Sequence, residues 1–171
     1  MGEPRWLNET EMRAWTGFLE TSDLLQRLID LQLREAGGVT QVQYEILTRI
    51  NDSPCRRRRM TELADLMVCS RSGLTYQVTQ LEKAGLLQRE SDPGDERGVL
   101  AVLTDEGHQV LSAAAPGHVR TVREGLLDVL TLEQVAQLAD IMTTTRNSLR
   151  SALQQPASRQ KEASAADNGA A

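Results

Sequence analysis

The chain has 171 residues, a formal net charge of −5, and a composition that is 40% hydrophobic but only 3% aromatic. This length suits one domain, or a small domain with helical extensions, and the apolar content is enough for a buried core. No apolar run is long enough to span a bilayer and the first residues lack the apolar core of a secretory signal, so the sequence predicts a cytoplasmic protein.

Basic residues are concentrated in one part of this acidic chain. The segment 54–89 contains seven basic and three acidic side chains, so it carries a net charge of +4 and the rest of the chain carries −9. A localised basic surface on an acidic protein suits contact with DNA phosphates at one place rather than general coating of nucleic acid. A chance cluster of arginines in a loop is the alternative interpretation.

Two helices are predicted before the basic segment. The first extends from Glu9 to about Ala36, and its apolar residues recur at helical spacing over a wide surface. These residues are Met12, Trp15, Phe18, Leu19, Leu24, Leu25, Leu28, Ile29, Leu31 and Leu33. Because one small lobe does not cover so wide an apolar surface, the pattern predicts burial against a partner subunit. Thr40 and Gln43 form a capping-box pattern for the second helix, which reaches Asn51.

The stretch from Ser70 to Lys83 predicts a helix with two unlike faces. Leu74, Val78 and Leu81 fall at i, i+4 and i+7 and form one buried stripe. The other face carries hydroxyls, amides and cations, the groups that read base edges and bind phosphates. These residues are Arg71, Thr75, Tyr76, Gln77, Thr79, Gln80 and Lys83. A polar surface helix that contacts no ligand is the alternative interpretation.

A short helix and a tight turn precede the polar-faced helix. The basic connector 55–59 is followed by Thr61, which is predicted to cap a short apolar helix. Only Val68 and Cys69 separate that helix from Ser70, whose hydroxyl is expected to cap the polar-faced helix. The arrangement predicts a helix-turn-helix.

Two strand-like segments follow the polar-faced helix. Gly85 is expected to end that helix in a left-handed conformation. The segments 86–90 and 99–103 are strand-like, and residues 92–95 between them, Asp-Pro-Gly-Asp, are typical of a turn. The pattern predicts a β-hairpin, and a hairpin directly after a helix-turn-helix is a wing.

Two further helices and a tail are predicted after the hairpin. The first covers residues 105–130, with a kink or short break expected at the Pro-Gly pair 116–117. A capping-box pattern at Thr131 and Gln134 opens a final helix that reaches about residue 153. Residues 156–171 are polar and small, and they are predicted to form a disordered tail.

The order of these elements and their local sequences resemble the multiple-antibiotic-resistance-regulator (MarR) family of bacterial winged-helix regulators. The resemblance extends from Leu19 to Leu153, and its most specific parts are Met60–Ala64, Ser70–Ser72, Gln80–Leu87, Asp92–Arg97 and Leu103–Gly107. It implies a mainly α fold with a small β-hairpin wing, in which a winged helix-turn-helix is flanked by N- and C-terminal dimerisation helices. The implied regions are an N-terminal dimerisation helix (1–38), a DNA-binding lobe (39–104), C-terminal dimerisation helices (105–155) and a disordered tail (156–171).

The resemblance also implies a function. It describes a homodimeric, ligand-responsive repressor that places its recognition helix in the major groove of a pseudo-palindromic operator in double-stranded DNA. The residues that would contact DNA are Arg59, Ser70, Arg71, Ser72, Thr75, Tyr76, Gln77, Gln80 and Arg97. Arg97 would reach the minor groove from the wing, supported by Asp95. Many family members have a second arginine at the next position, where this chain has Gly98.

A pocket for a small aromatic acid or phenolic effector is implied as well. The candidates to supply a ring face and a counter-charge are Arg13, Trp15, Tyr44 and Arg49. A cysteine-based redox sensor is an alternative, because arginines next to Cys55 favour the thiolate and Cys69 lies beside the predicted start of a helix. A helical protein-interaction dimer that carries a degenerate winged helix is a further alternative.

The remaining chemistry-bearing residues predict no active site. His108 and His118 are ten positions apart and do not form a convincing metal-ligand set. Two cysteines are too few for a disulfide framework or a zinc set. Because no nucleophile elbow, phosphate loop or glycine fingerprint is present, the sequence predicts no enzyme activity, no cofactor and no metal.

Overall fold

A computed structural model describes residues 4–67 and 70–154. These residues form six α-helices and one three-stranded antiparallel sheet, in two compact units that meet between Leu126 and Leu127. In the first unit the elements are α1 (Glu9–Gly37), α2 (Gln41–Asn51), β1 (Arg57–Arg59), α3 (Met60–Leu66), α4 (Arg71–Lys83), β2 (Leu87–Asp92), β3 (Asp95–Leu103) and α5 (Asp105–Val122). In the second unit the element is α6 (Leu132–Gln154). The mainly α fold class with a small β wing is confirmed.

Side-chain caps start most of the helices. In α1, the Asn8 side chain accepts from the Glu11 amide and the Glu11 carboxylate accepts from the Asn8 amide, both at 2.9 Å. The capping boxes predicted at Thr40 for α2 and at Thr131 for α6 are confirmed by the same reciprocal pattern. These bonds satisfy amides that have no partner within the helix.

The predicted start of α3 is wrong. Thr61 does not cap this helix, because α3 begins one residue earlier, at Met60. Arg59 is both the last residue of β1 and the residue that precedes the helix, and its side chain forms no cap. The chain therefore passes from strand to helix with no loop in which Thr61 could take the capping position.

The sheet has one strand more than the predicted hairpin. Its order is β1-β3-β2, with both neighbouring pairs antiparallel. The central strand β3 places Ala101 between Arg58 of β1 and Arg89 of β2. The hairpin turns at residues 93–94, where the sequence predicted a turn.

The core of the first unit is formed by α-helices and the inner face of the sheet. Its fully buried side chains include Leu33, Ile46, Leu47, Ile50, Leu63, Leu74, Val78, Leu81 and Ala101. Burying an aliphatic side chain of this size contributes about 1.5–3 kcal/mol. The three-residue stripe of α4 is therefore a strong anchor, and it fixes which face of α4 is directed outward.

Helix α5 continues through the expected break. Pro116 lies inside α5 and the helix runs without interruption to Val122, so there is no break at 116–117, and the alternative, a kink, stays a prediction. The irregularity comes later, as a π-helical turn at Arg123–Leu127. Gly117 lies against α1, where a Cβ would meet the side-chain nitrogen of Gln32.

The second unit contains α6, which has no buried side chain among its described residues. Leu132, Ile141, Leu149 and Leu153 are each more than half exposed. No helix within residues 4–67 and 70–154 is both long and apolar enough to cross a bilayer. The predicted turn residues Val68 and Cys69 and the predicted tail 156–171 lie outside the described residues.

Candidate nucleic-acid interface

Helix α4 is held by both of its ends as well as by its buried stripe. Ser70 Oγ accepts from the Gly73 amide at 3.1 Å, which confirms the predicted cap. At the other end Gly85 has φ 75°, the amide of Leu86 donates to the Leu81 carbonyl at 2.9 Å, and the Gly85 amide donates to Glu82 at 3.0 Å. These bonds end the helix in the predicted left-handed conformation and direct the chain into β2.

The outward face of α4 presents the predicted polar residues. Ser70, Arg71, Ser72, Thr75 and Tyr76 are exposed, whereas Gln77 and Gln80 are half-buried. Tyr76 is 61% exposed, a large fraction for an aromatic side chain. The structure therefore brings the α4 candidates together on one accessible surface.

Three side chains on α4, those of Arg71, Thr75 and Lys83, bear on contact with a duplex. The Thr75 hydroxyl donates to the Arg71 carbonyl at 2.9 Å, so its hydroxyl hydrogen is already used. Within the described residues, Arg71 and Lys83 form no ion pair. Their charges are therefore available for phosphate groups.

The arginine run 56–59 is largely engaged within the protein. Arg56 lies 3.9 Å from an Asp105 oxygen, Arg57 lies 3.7 Å from a Glu90 oxygen, Arg58 donates to the Arg49 carbonyl at 3.0 Å, and Arg59 pairs with Asp92. Exposed ion pairs are worth only about 0–1 kcal/mol, and they are screened by salt. The run still contributes positive potential, but its side chains contact α2, α5 and β2 to a degree that the sequence did not predict.

Arg59 and Asp92 form the most enclosed ion pair of the wing. The Arg59 Nε donates to Asp92 Oδ2, and the Gly94 amide donates to Asp92 Oδ1 at 2.9 Å. The Asp92 side chain is 8% exposed and the Arg59 side chain is 45% exposed. The Gly94 amide and the Arg59 guanidinium hold the pKa of Asp92 below its ordinary value. Arg59, a predicted DNA contact, is thus also part of the wing structure.

The tip of the wing lies at the start of β3. Asp95 is exposed there, and the backbone of Arg97 continues the strand. Ladder pairing is irregular between Ser91 and Asp92, where β2 leads into the turn. The side chain of Arg97 lies outside what the structure describes, so its role at the wing tip stays a prediction.

One residue that sequence reasoning counted only as a charge has a specific structural position. Arg89 of β2 directs its guanidinium at α4, where Nη1 donates to Glu82 Oε2 at 2.8 Å. In the sequence, Glu82 and Arg89 are seven positions apart, with the helix-ending Gly85 between them. This spacing predicts a contact between the two side chains only if the strand is known to fold back along the helix.

A cleft of about 260 Å³ lies between α2 and α5 on the first unit. It is lined by Gln41, Tyr44, Glu45, Thr48, Arg49, Asp52 and His118. The Tyr44 and His118 rings are 4.8 Å apart between centroids. Burial raises the pKa of Tyr44 and lowers the pKa of His118. His118 Nδ1 is buried and has no hydrogen-bond partner among the described residues.

The four predicted effector residues are divided between two places. Tyr44 and Arg49 both line the cleft, whereas Trp15 and Arg13 are not among its lining residues. Trp15 stacks on Phe18 instead, with ring centroids 6.3 Å apart, on an exposed part of α1. The structure adds His118 to the cleft, a residue that the sequence assigned no role.

The remaining cysteine and histidine have different surroundings. Cys55 is exposed, in the turn between α2 and β1, and has φ 57°. Cys69 lies outside the described residues. His108 Nδ1 is 3.2 Å from the Asn51 side-chain oxygen, which ties α5 to α2. No cluster of three metal-binding side chains occurs in the part of the chain that the structure describes.

Comparison with known proteins places this geometry in context. A family model described as MarR family matches residues 39–99, from the start of α2 into β3. The crystal structure of Sco3205, a MarR family transcriptional regulator from Streptomyces coelicolor in complex with DNA, is similar with 44% identity and a TM-score of 0.82. That match covers 85% of this chain and 92% of Sco3205.

Two further proteins are similar over much of their length. AbsC, a MarR family transcriptional regulator from Streptomyces coelicolor, has 36% identity and a TM-score of 0.82, over 86% of this chain and 99% of AbsC. The transcriptional regulator HosA from Escherichia coli O111:H- is 30% identical over 99 residues, which are 58% of this chain and 72% of HosA. The similarity extends well beyond the matched winged-helix segment.

Proposed function

This chain belongs to the MarR family of transcriptional regulators, and on that premise we propose that it acts as a homodimeric repressor on a pseudo-palindromic operator. The observation that carries the proposal is the outward polar face of α4, which a fully buried stripe holds in place. Sco3205, at 44% identity, was crystallised with DNA, which supports DNA as the partner of this chain.

Helix α4 is assigned as the recognition helix that enters the major groove. Its exposed face offers a cation, hydroxyls and a phenol, and its half-buried Gln77 and Gln80 offer amides. Glutamine pairs with adenine through two hydrogen bonds, and a threonine methyl contacts the thymine methyl. Arg71 and Lys83 near the two ends of α4 are suited to phosphates on either side of the groove.

The exposed apolar face of α1 supports a homodimer. Trp15, Phe18, Leu24, Leu28 and Leu31 are each at least half exposed. At about 100° per residue, Trp15 and Phe18 share one side of α1, and Leu24, Leu28 and Leu31 share the opposite side further along the helix. Large exposed apolar surfaces mark interaction sites. A second copy is the occupant proposed, because a two-fold axis presents the same face from both protomers and matches a pseudo-palindromic operator.

The cleft lined by Tyr44, Arg49 and His118 supports response to an aromatic carboxylate or phenolic effector. It combines a ring face, a guanidinium and a buried imidazole nitrogen that lacks a hydrogen-bond partner among the described residues. The dimer can have its two recognition helices at a spacing that fits the operator or at one that does not. An effector weakens operator binding only as far as its affinity for the second state exceeds its affinity for the first. The two helices must lie about 34 Å apart to reach successive major grooves.

DNA selection tests the proposed function. The wild-type protein is used to select duplexes from a random pool, and the affinity of the selected duplex is compared with that of a random duplex at stated salt. We expect selection of a sequence with two inverted half-sites about one helical turn apart. Equal affinity for selected and random DNA would contradict the proposal and favour a protein-interaction dimer.

Effector response is tested on the same complex. Benzoate-type acids and phenols are titrated against the protein bound to the selected duplex, and release is measured for the wild type and for Tyr44→Ala. If the effector releases DNA from the wild type and releases less from Tyr44→Ala, the result supports the cleft as the effector site. Release by peroxide alone, reversed by a thiol, would instead favour a redox sensor at the exposed Cys55.

A further inference from the structure

Arg89 holds two turns of α4 with one side chain. Its Nη1 donates to Glu82 Oε2 at 2.8 Å, and its Nη2 donates to Thr79 Oγ1 at 2.9 Å and to the Thr75 carbonyl at 3.3 Å. The Arg89 side chain is 28% exposed. A planar guanidinium presents several donors in a fixed arrangement, so these three bonds define an orientation rather than a single distance.

The three acceptors lie on one side of α4. Glu82, Thr79 and Thr75 are separated by three and four positions, which places them in a row along the helix. The Thr79 hydroxyl also donates to the Thr75 carbonyl at 2.8 Å, so the contacts of Arg89 join an existing hydrogen-bonded chain. This row borders Tyr76, the most exposed aromatic side chain of the outward face of α4.

Arg89 itself is fixed by the sheet. It lies in β2 opposite Ala101 of β3, and Ala101 is fully buried. The same strand continues to Asp92, where the Arg59 ion pair holds the start of the hairpin turn. The guanidinium therefore joins α4 to the strand that leads to the wing.

Apart from Arg89, α4 and β2 are joined by a three-residue connection and by packing in the shared core. The backbone connection passes through Gly85, whose left-handed conformation makes a tight turn but leaves only three residues between the two elements. The buried stripe of α4 determines which face of the helix is buried. Because apolar packing is not directional, it constrains the tilt of the helix less strongly. A three-point polar contact on the side of the helix restricts its tilt and rotation.

We propose that Arg89 is a positioning residue that sets the angle of the recognition helix relative to the wing and thereby the sequence discrimination of the protein. The inference rests on the proposed assignment of α4 as the recognition helix. Base-edge hydrogen bonds need donor–acceptor distances near 3 Å, so a small change of helix angle removes them, whereas phosphate attraction tolerates such changes. Three of the five N–H donors of Arg89 are used by α4 and its side chain is 28% exposed, which favours orientation of the helix over phosphate contact.

The test uses Arg89→Met, with Arg57→Met as the matched control. Both substitutions remove one cation from the same sheet, but Arg57 reaches Glu90 at 3.7 Å and has no bond to α4. Affinities for the selected duplex and for a random duplex are measured over a series of salt concentrations. We expect Arg89→Met to lower the ratio of the two affinities about tenfold or more with the salt slope unchanged, and Arg57→Met to retain the ratio.

Glu82→Ala is the second variant. If Arg89→Met does not fold, the affinities of Glu82→Ala alone test the inference. It breaks the ion pair between Arg89 and α4, leaves the bonds to Thr79 and Thr75, and removes a negative charge, so it does not weaken phosphate attraction. We expect it to lower discrimination while random DNA binds at least as tightly as before. Arg89→Met removes a positive charge and Glu82→Ala removes a negative one. If both variants lose discrimination, the cause is the lost contact that positions α4 and not the change in charge.

Three results would overturn the inference. Equal weakening of both duplexes by Arg89→Met, with a salt slope smaller by about one unit, would make Arg89 a phosphate contact. Unchanged discrimination in Glu82→Ala would show that the ion pair between Arg89 and α4 does not set specificity. A wild-type protein that selects no duplex would contradict the proposed function, and the inference about Arg89 would fail together with it. The first two results contradict the inference alone.

Discussion

Gly98 lies directly against Asp92. A Cβ built on Gly98 would be 2.7 Å from Asp92 Cβ and 3.1 Å from Asp92 Oδ2. The missing side chain at position 98 therefore leaves room for the carboxylate that accepts from Arg59 and from the Gly94 amide. At the position where the family resemblance implies a second wing arginine, this chain has a glycine that lies against the Arg59–Asp92 ion pair beside the hairpin turn.

Gly98→Ala should destabilise the protein. The added methyl group has no free space, and overpacking of this kind costs about 1–3 kcal/mol. The matched control is Gly94→Ala, whose Cβ would meet Asp92 Oδ1 at 3.5 Å and Arg59 Nη2 at 3.6 Å, which are ordinary contact distances. Urea unfolding of the two variants measures the difference. A Gly98→Ala protein as stable as Gly94→Ala would show that the wing adjusts without loss.

Acid should destabilise the wild type partly through His118. Burial lowers its pKa from the ordinary value of 6.5. Because the unfolded chain then binds a proton at a pH where the folded protein does not, stability falls as pH decreases through about 6.5 towards the lower folded-state value. His118→Phe retains a ring beside Tyr44 and does not titrate. Its free energy of unfolding should therefore decrease less between about pH 7.5 and 5.5.

Tyr44→Phe is the control for the His118 experiment. It alters the same ring pair, whose centroids are 4.8 Å apart, but removes no group that titrates near neutrality. We expect it to show the pH dependence of the wild type. If His118→Phe and Tyr44→Phe lose stability equally on acidification, another group accounts for the effect.

Substitution of Phe18 should weaken the proposed dimer. Phe18 is 50% exposed and stacks with Trp15 on the face of α1 that is assigned to a second copy. Phe18→Ser removes about 1 kcal/mol of apolar burial from each protomer, and symmetry counts this loss twice. The dissociation constant, measured by sedimentation equilibrium, should rise at least about tenfold.

Glu35→Ala, on the exposed C-terminal part of the same helix, serves as the control for Phe18→Ser. It is expected to sediment as the wild type does. A Phe18→Ser protein with the wild-type dissociation constant would place the interface on another surface. A wild type that sediments as a monomer would contradict the dimer proposal directly.

Local sequence patterns predicted the helices well because their signals are local. The Thr40 capping box and the α4 stripe each depend on residues within three or seven positions, and both are confirmed. Strand β1 was less visible, since three consecutive arginines are not typical of a strand and its pairing partner, β3, lies more than 40 positions away.

Long-range side-chain partners were beyond local pattern reasoning. The Arg59–Asp92 pair joins residues 33 positions apart. The contact of Arg89 with α4 depends on how far β2 folds back along the helix. The residues on the outward face of α4 were predictable, whereas the side chains that hold this face at its angle were not.

Wing and recognition helix should contribute differently to DNA binding. Arg97→Ala is expected to weaken selected and random duplexes together, because a wing cation acts mainly through groove potential and phosphate charge. The slope of log affinity against log salt should shrink by at most about one unit. Gly98 makes this test clear, since the next position has no second arginine to compensate.

Gln77→Ala and Thr75→Ala should instead reduce discrimination. A good base contact is worth about 1–3 kcal/mol against the wrong base, whereas random DNA offers no such contact to lose. Gln88→Ala is the control, because Gln88 is an exposed amide on β2 that bonds to Glu90 at 3.0 Å. The reason for the contrast is physical: every duplex has a charged backbone, but only the operator has a particular base edge at a particular place. Weakening of both duplexes equally by the α4 variants, with no effect of Arg97→Ala, would reverse the assignment of wing and helix.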